Sequence, residues 1–223
     1  MTGPVTGRPV PARPVRVTVF GASGRTGREV VARAAAAGMH VTAYVRDAAR
    51  LGDAADGVRV VTGALDDDAR LAEALAGADA AVSALGVGRP LRTDPAVVEG
   101  VRRIVAAMEA AGVPRLVYLS FVGVRDSRAR SGPVIRHVLS RVVRSEAADH
   151  ERKEATVRAS GLDWTIVRPP LLTSGPVNGA LRAGEDVAAA GPLPRASRAA
   201  VAAYLVEQIT AADQVRRAPS LLP

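Results

Sequence analysis

Val15-Arg16-Val17-Thr18-Val19-Phe20 runs directly into Gly21-Ala22-Ser23-Gly24-Arg25-Thr26-Gly27, which opens the alanine-rich stretch Arg28 to Ala37. An apolar run, a tight glycine turn and a helix start form the arrangement that binds a dinucleotide pyrophosphate. Gly21 permits the turn, Gly24 lets backbone N–H groups approach the phosphates, and Gly27 lets the helix pack closely on the strand. The helix N-terminus adds partial positive charge. Ser23, Arg25 and Thr26 complete the loop and join the glycines as candidate cofactor contacts. A second apolar run, His40-Val41-Thr42-Ala43-Tyr44-Val45, supplies the next strand that such a motif requires.

Working outward, apolar runs alternate with alanine-rich periodic segments, the signature of a parallel sheet wrapped by helices. Strands are expected at 15–20, 40–45, 58–62, 79–84, 115–120 and 163–168, and helices at 25–37, 67–76, 95–111, 145–160 and 198–212. Asp94-Pro95 marks a helix start, with Asp94 as cap. Residues 133–143 suggest a short helix, and the Gly- and Pro-bearing stretch 169–198 reads as irregular chain over the sheet's carboxyl edge. The fold class expected is α/β: a single Rossmann-like doubly wound domain, with a mostly parallel central sheet flanked by helices. Residues 1–14 read as a disordered tail and 15–223 as the domain, a length that suits one core.

Composition narrows the function. The formal charge of +8 is carried almost wholly by arginine, Lys153 being the only lysine. These arginines are dispersed, and aromatics make up only 3% of residues, so a nucleic-acid role is not expected and the charge reads as solubility plus attraction for anionic ligands. Cysteine is absent and the three histidines are scattered, which argues against a transition-metal site. No apolar run approaches a membrane span and Met1 to Arg16 lacks the apolar centre of a signal peptide, so a cytoplasmic protein is expected. The partner expected is a small-molecule substrate, with the chain a monomer or small homo-oligomer.

In a doubly wound sheet the ligand lies across the carboxyl ends of the strands, so the residues following each strand carry the chemistry. After the second strand comes Val45-Arg46-Asp47. An arginine there suits a 2′-phosphate, with Arg25 as a second positive charge, and selects NADP(H); Asp47 keeps NAD open if it points at the ribose instead. After the third strand, Leu65 and Asp66 approach the adenine, although Asp66-Asp67-Asp68 equally suits a helix cap. After the fourth, Ala84-Leu85-Gly86 is small enough to let backbone pass beside a cofactor.

From Val15 onward the chain resembles the NmrA-like group of atypical short-chain dehydrogenases, and is most similar to the biliverdin-IXβ reductase/flavin reductase branch. The matching pieces are the glycine loop, Val45-Arg46-Asp47, Gly100 to Ala111 with Gly112-Val113, Ser120, Asp149-His150, and Ser160-Gly161-Leu162-Asp163-Trp164-Thr165-Ile166-Val167-Arg168-Pro169-Pro170. The resemblance implies a Rossmann domain, NADPH as cofactor, Pro169 on the cofactor side, and flat oxidised substrates such as flavins and linear tetrapyrroles. Other members of the group act on quinones or isoflavonoid-like compounds, and some sense the cofactor ratio without catalysis.

Departures from the pattern bear on chemistry. The classical tyrosine with a lysine four residues later is missing: Tyr44, Tyr118 and Tyr204 are followed at that spacing by Ala48, Val122 and Gln208. Glu146 and His150 stand near the corresponding positions, and Leu171 occupies the place where the biliverdin branch has a histidine. The catalytic candidates are therefore Ser120, as a hydrogen-bond donor to the group being reduced or a support for the nicotinamide ribose, and His150, as a proton-transfer group or a surface histidine paired with Glu146 or Glu154. Hydride transfer to an electron-poor ring tolerates a missing Tyr/Lys pair, whereas carbonyl reduction wants a positioned acid. An NADPH-dependent oxidoreductase acting on a flat conjugated acceptor is thus the leading expectation. An NADP(H)-sensing regulator and a pathway-specific reductase or isomerase of secondary metabolism are the alternatives.

Overall fold

The computed structural model describes residues 13–86, 94–139, 144–177 and 179–223. Six strands form one parallel sheet: β1 (Arg16–Phe20), β2 (His40–Val45), β3 (Arg59–Thr62), β4 (Ala80–Ser83), β5 (Arg115–Leu119) and β6 (Asp163–Val167). Their spatial order is β3-β2-β1-β4-β5-β6. The order reverses between β1 and β4, where the connections leave in opposite directions and open a crevice at the carboxyl edge. Helices α1 (Arg25–Ala36), α2 (Asp68–Leu75), α3 (Pro95–Ala110), α4 (Arg144–Ala159) and α5 (Arg198–Thr210) cover the faces.

Alternation along β1 assigns the layers. Val17 and Val19 join Val30, Val31 and Ala34 of α1 and Val201 and Leu205 of α5 on one face. Phe20 joins Leu71, Leu75, Ile104, Met108 and Val157 of α2, α3 and α4 on the other. Each such side chain, once buried, contributes about 1.5–3 kcal/mol, so the sheet's two faces rather than its edges hold the domain together. α4 departs from the apolar pattern. Asp149, Lys153 and Glu154 lie fully buried beside Val157, at the i, i+4, i+5, i+8 spacing of one helical face.

Helix starts follow from local chemistry. Asp94 accepts from the Val97 N–H at 3.3 Å ahead of Pro95, Asp67 caps α2 through the Arg70 N–H at 3.1 Å, and Ser197 caps α5 through the Ala200 N–H at 3.1 Å. At the other end of α5, the Gln208 carbonyl accepts from Arg115 Nε at 3.1 Å. Arg115 opens β5, so α5 finishes at the amino edge of the sheet and begins at the carboxyl edge, as α1 does.

The stretch expected to be irregular contains three short strands, β7 (Leu171–Thr173), β8 (Arg182–Gly184) and β9 (Arg195–Ser197). β7 pairs with β9, and β8 pairs with β10 (Ser220–Leu222). Three residues are too few to display a period, and the partners are far apart in sequence. Ile135–Leu139 forms a π-helical turn, and residues 140–143 of the short helix expected there lie outside the described residues. Residues 1–12 of the expected tail also lie outside them, while Arg13 donates to Asp79 at 2.9 and 2.6 Å. Among the described residues no helix is long and apolar enough to cross a membrane.

Candidate active site

Gly21 leaves β1 with φ of 75°. A Cβ on it would stand 2.8 Å from the Ala84 carbonyl atoms and 2.9 Å from the Leu85 nitrogen, so the loop passes directly against the end of β4. A Cβ on Gly27 would overlap the Gly21 carbonyl oxygen, which fixes the close approach of α1 to the turn. Gly24 is the N-cap of α1; it contributes no side-chain cap, and the first turn holds no acidic residue. Gly24 N–H is spent on the Gly21 carbonyl at 3.0 Å, leaving the N–H groups of Arg25, Thr26 and Gly27 without intrahelical acceptors, as at any α-helix start. Thr26 is buried, Ser23 half-buried and Arg25 exposed at this mouth. A cradle that any Cβ would fill, with outward N–H groups and positive charge beside it, suits a dinucleotide pyrophosphate.

At the end of β2, Arg46 and Asp47 differ in their hydrogen bonding. Asp47 Oδ1 accepts from the Ala49 N–H at 3.0 Å and caps the 3-10 turn Ala48–Ala55, so its carboxylate serves its own chain. Arg46 is exposed, and Arg28 reaches toward the same turn through the Arg50 carbonyl at 3.4 Å. Among the described residues no ion pair engages Arg25, Arg28, Arg46 or Arg50. Arginines free of ion pairs beside the end of β2, with Arg28 reaching the Arg50 carbonyl, form a field that favours a phosphate monoester.

After β3, Asp67 rather than Asp66 caps the helix, and Asp66 is exposed. Leu65 packs on Gly100 of α3, where an added Cβ would meet its Cβ at 2.7 Å. The neighbouring Ala64 carbonyl accepts from Tyr44 Oη at 2.6 Å, which pins the β3 exit to β2. After β4, Ala84 is buried, Leu85 half-buried and Gly86 exposed, in step with a backbone that skirts the crevice.

The far half of the edge is built differently. Ser120 follows β5, and its Oγ donates to Glu154 Oε1 at 2.7 Å. Arg168, at the end of β6, donates to the same carboxylate through Nε at 3.0 Å and Nη2 at 2.6 Å, and through Nη1 to Asp126 at 3.0 Å. Ser120, Glu154 and Arg168 are buried. Burial works against the Arg168 charge, yet Glu154 and then Asp126 outweigh it, so Arg168 holds its proton more tightly than usual. In the ligand-free chain the single Ser120 proton is donated to Glu154, and the oxygen keeps lone pairs for a further donor. Pro169 is buried and its carbonyl accepts from the Val122 N–H at 2.8 Å, holding the two strand exits together.

His150 lies on α4, four residues before Glu154. Burial pushes its imidazole down to about 3, with the charge of Lys153 a second cause, so the ring is neutral near pH 7. Its ring lies 6.4 Å from Phe121, and its Nδ1 is buried with no hydrogen-bond partner among the described residues. Glu154 does not pair with it, being committed to Ser120 and Arg168; the Glu146 side chain lies outside the described residues. Tyr118 is buried beneath the sheet, where burial and then Glu154 raise its pKa. Sequence reasoning missed Glu154 and Arg168 as a bonded pair, and Asp149, whose Oδ2 accepts from the Asp94 N–H at 2.8 Å and ties α4 to the start of α3. The only sequence signal was a charged residue in place of an apolar one at the buried face of α4.

Comparison with known proteins agrees with this geometry. A (4-alkanoyl-5-oxo-2,5-dihydrofuran-3-yl)methyl phosphate reductase of Streptomyces griseus subsp. griseus is 37% identical over 153 residues, which cover 69% of this chain and 46% of that protein. The chain thus aligns with about half the length of that relative. Among solved structures, ChuY, an anaerobillin reductase from Escherichia coli O157:H7, is 25% identical with a TM-score of 0.74, over 93% of this chain and 96% of that one. A short-chain dehydrogenase/reductase from Veillonella parvula DSM 2008, solved in complex with NADP, shares the fold at 20% identity and a TM-score of 0.76, over 93% of this chain and 94% of that one. Residues 21–212, from the glycine loop through α5, match the NAD(P)H-binding family, and the chain belongs to it.

Proposed function

We propose that the chain is an NADPH-dependent oxidoreductase that delivers hydride to a flat conjugated acceptor such as a flavin, quinone, linear tetrapyrrole or aromatic metabolite. The observation that carries this reading is the division of the carboxyl edge. One half leaves cations and N–H groups open, and the other half turns its polar groups on one another. When bound, NADPH supplies the hydride. Arg46, with Arg28 nearby, holds the 2′-phosphate. The glycine loop seats the pyrophosphate, and the Gly21 contact with Ala84 and Leu85 sets the depth of the crevice. Ser120 accepts from a ribose hydroxyl through its free lone pairs, while Glu154 and Arg168 keep it from rotating.

Among the described residues no acid with a pKa near neutrality faces this edge. His150 is neutral at pH 7 and Tyr118 is buried. Such an arrangement supports a reaction in which the protein holds two planes together and solvent supplies the proton. The names of the reductases aligned above support the same class, one of them naming an oxo-dihydrofuran ring as its substrate. Steady NADPH oxidation against FMN, FAD and a small quinone panel tests the proposal. Turnover with a rate nearly flat from about pH 6 to 8 is expected. Tight NADPH binding without turnover on any conjugated acceptor would favour the cofactor-sensing alternative instead.

A further inference from the structure

We propose that Arg198 and Ser174 join Arg25 in holding the pyrophosphate of the dinucleotide, so that cofactor binding fixes the segment covering the acceptor. This rests on the cofactor reading above and adds residues that no motif or comparison assigns.

Arg25 is the first residue of α1 and Arg198 the first residue of α5. The two helices share one core cluster, Val30, Val31 and Ala34 against Val201, Ala202 and Leu205, and both begin at the carboxyl edge. Their opening guanidinium groups therefore face the same mouth, at the glycine loop. The shared core brings the two helix starts side by side, and Arg198 holds its proton less tightly than usual, first through burial and then through the positive charge of Arg25. Among the described residues neither is neutralised by a carboxylate. Glu29, one turn into α1, is committed to Arg33 at 3.7 Å. Arg198 Nη1 donates to Ser174 Oγ at 3.3 Å.

Like charges held together with only a hydroxyl as partner raise the energy of the empty protein, and a doubly charged anion between them removes that repulsion. The pyrophosphate is the anion that the glycine loop brings to the first turn of α1. The 2′-phosphate belongs at the end of β2, beside Arg46, on the other side of the loop. Ser174 follows β7 and Arg198 follows β9, and these strands pair with Thr173 opposite Ser197. A pyrophosphate gripped by Arg198 and Ser174 thus closes the base of the whole 171–197 segment, which lies over the acceptor side. The cofactor then binds first and the acceptor second.

The test is calorimetric titration of NADPH and of NADH into the wild-type chain, Arg198→Ala, Arg198→Lys and Ser174→Ala, together with hydrogen exchange across 171–197. Arg198→Ala is expected to weaken NADPH and NADH alike by roughly ten- to a hundredfold, as loss of a charge-assisted contact does. Arg198→Lys should keep most of the affinity. The melting temperature of the ligand-free Arg198→Ala protein should equal or exceed that of the wild type, because a repulsion has been removed. NADPH should protect 171–177 from exchange in the wild type and not in Arg198→Ala. Unchanged affinity for both dinucleotides, or a loss confined to NADPH, would overturn the assignment, the latter placing Arg198 on the 2′-phosphate. A wild-type chain that binds neither dinucleotide would overturn the underlying cofactor reading instead.

Discussion

The two halves of the carboxyl edge treat polar groups in opposite ways. Around β1 and β2 the chain spends almost none of them. Gly24 caps α1 without a side chain, and Arg25 and Arg46 point outward with no carboxylate among the described residues. Around β5 and β6 it spends nearly all. Ser120, Arg168 and Asp126 converge on or extend from Glu154 within 2.6–3.0 Å. Groups left open are available to a ligand, and groups closed on each other build a wall beside them.

The most damaging way to break this contrast is Glu154→Ala. It leaves Arg168 buried without its bidentate partner and should cost about 3–5 kcal/mol of stability, read as a fall in the urea midpoint with unchanged slope. A loss under about 1 kcal/mol would mean that water reaches Arg168 and the wall is open. Glu154→Gln keeps one acceptor oxygen for Ser120 and Arg168 and should lose less.

Arg46→Ala sharpens the other half. It should weaken NADPH by about 1.5–3 kcal/mol while leaving NADH nearly unchanged, since only NADPH carries the 2′-phosphate. Equal losses for both would place Arg46 elsewhere.

His150→Gln has the smallest effect at neutral pH, and its effect at acid pH has a defined sign. The unfolded chain takes up a proton on His150 below its ordinary 6.5, whereas the folded chain resists it down to about 3. Folding stability therefore falls as pH drops from about 6.5 toward 3 and is unaffected above that window. The variant should show a shallower acid decline in urea midpoints and a near-identical midpoint at pH 8. Parallel declines would show that the imidazole is solvated.

Legibility in the sequence follows the same division. The six strands and the helix starts at Arg25 and Pro95 were readable because strand-turn-helix spacing and a Pro after a capping Asp are local signals. So was the cation at the end of β2, although choosing Arg46 over Asp47 needed the 3.0 Å bond to Ala49. The wall was not readable. Glu154 lies 34 residues from Ser120 and 14 from Arg168, and a charged face on α4 looks like a solvated one until burial is known. The short strands β7, β8 and β9 escaped for a related reason, since their pairings are set by the returning chain and not by their own composition. Arg198 belongs with them: nothing in Ser197-Arg198-Ala199 signals that the helix it opens packs against α1.

The central claim is that the open half of the edge is made for a phosphorylated dinucleotide. Titration of the wild-type chain with NADPH and NADH under one set of conditions tests it most directly. NADPH is expected to bind about ten- to a hundredfold more tightly than NADH, the ratio that one charge-assisted phosphate contact supports. Equal affinities would contradict the assignment of Arg46, and no binding of either would contradict the reading of the glycine loop itself.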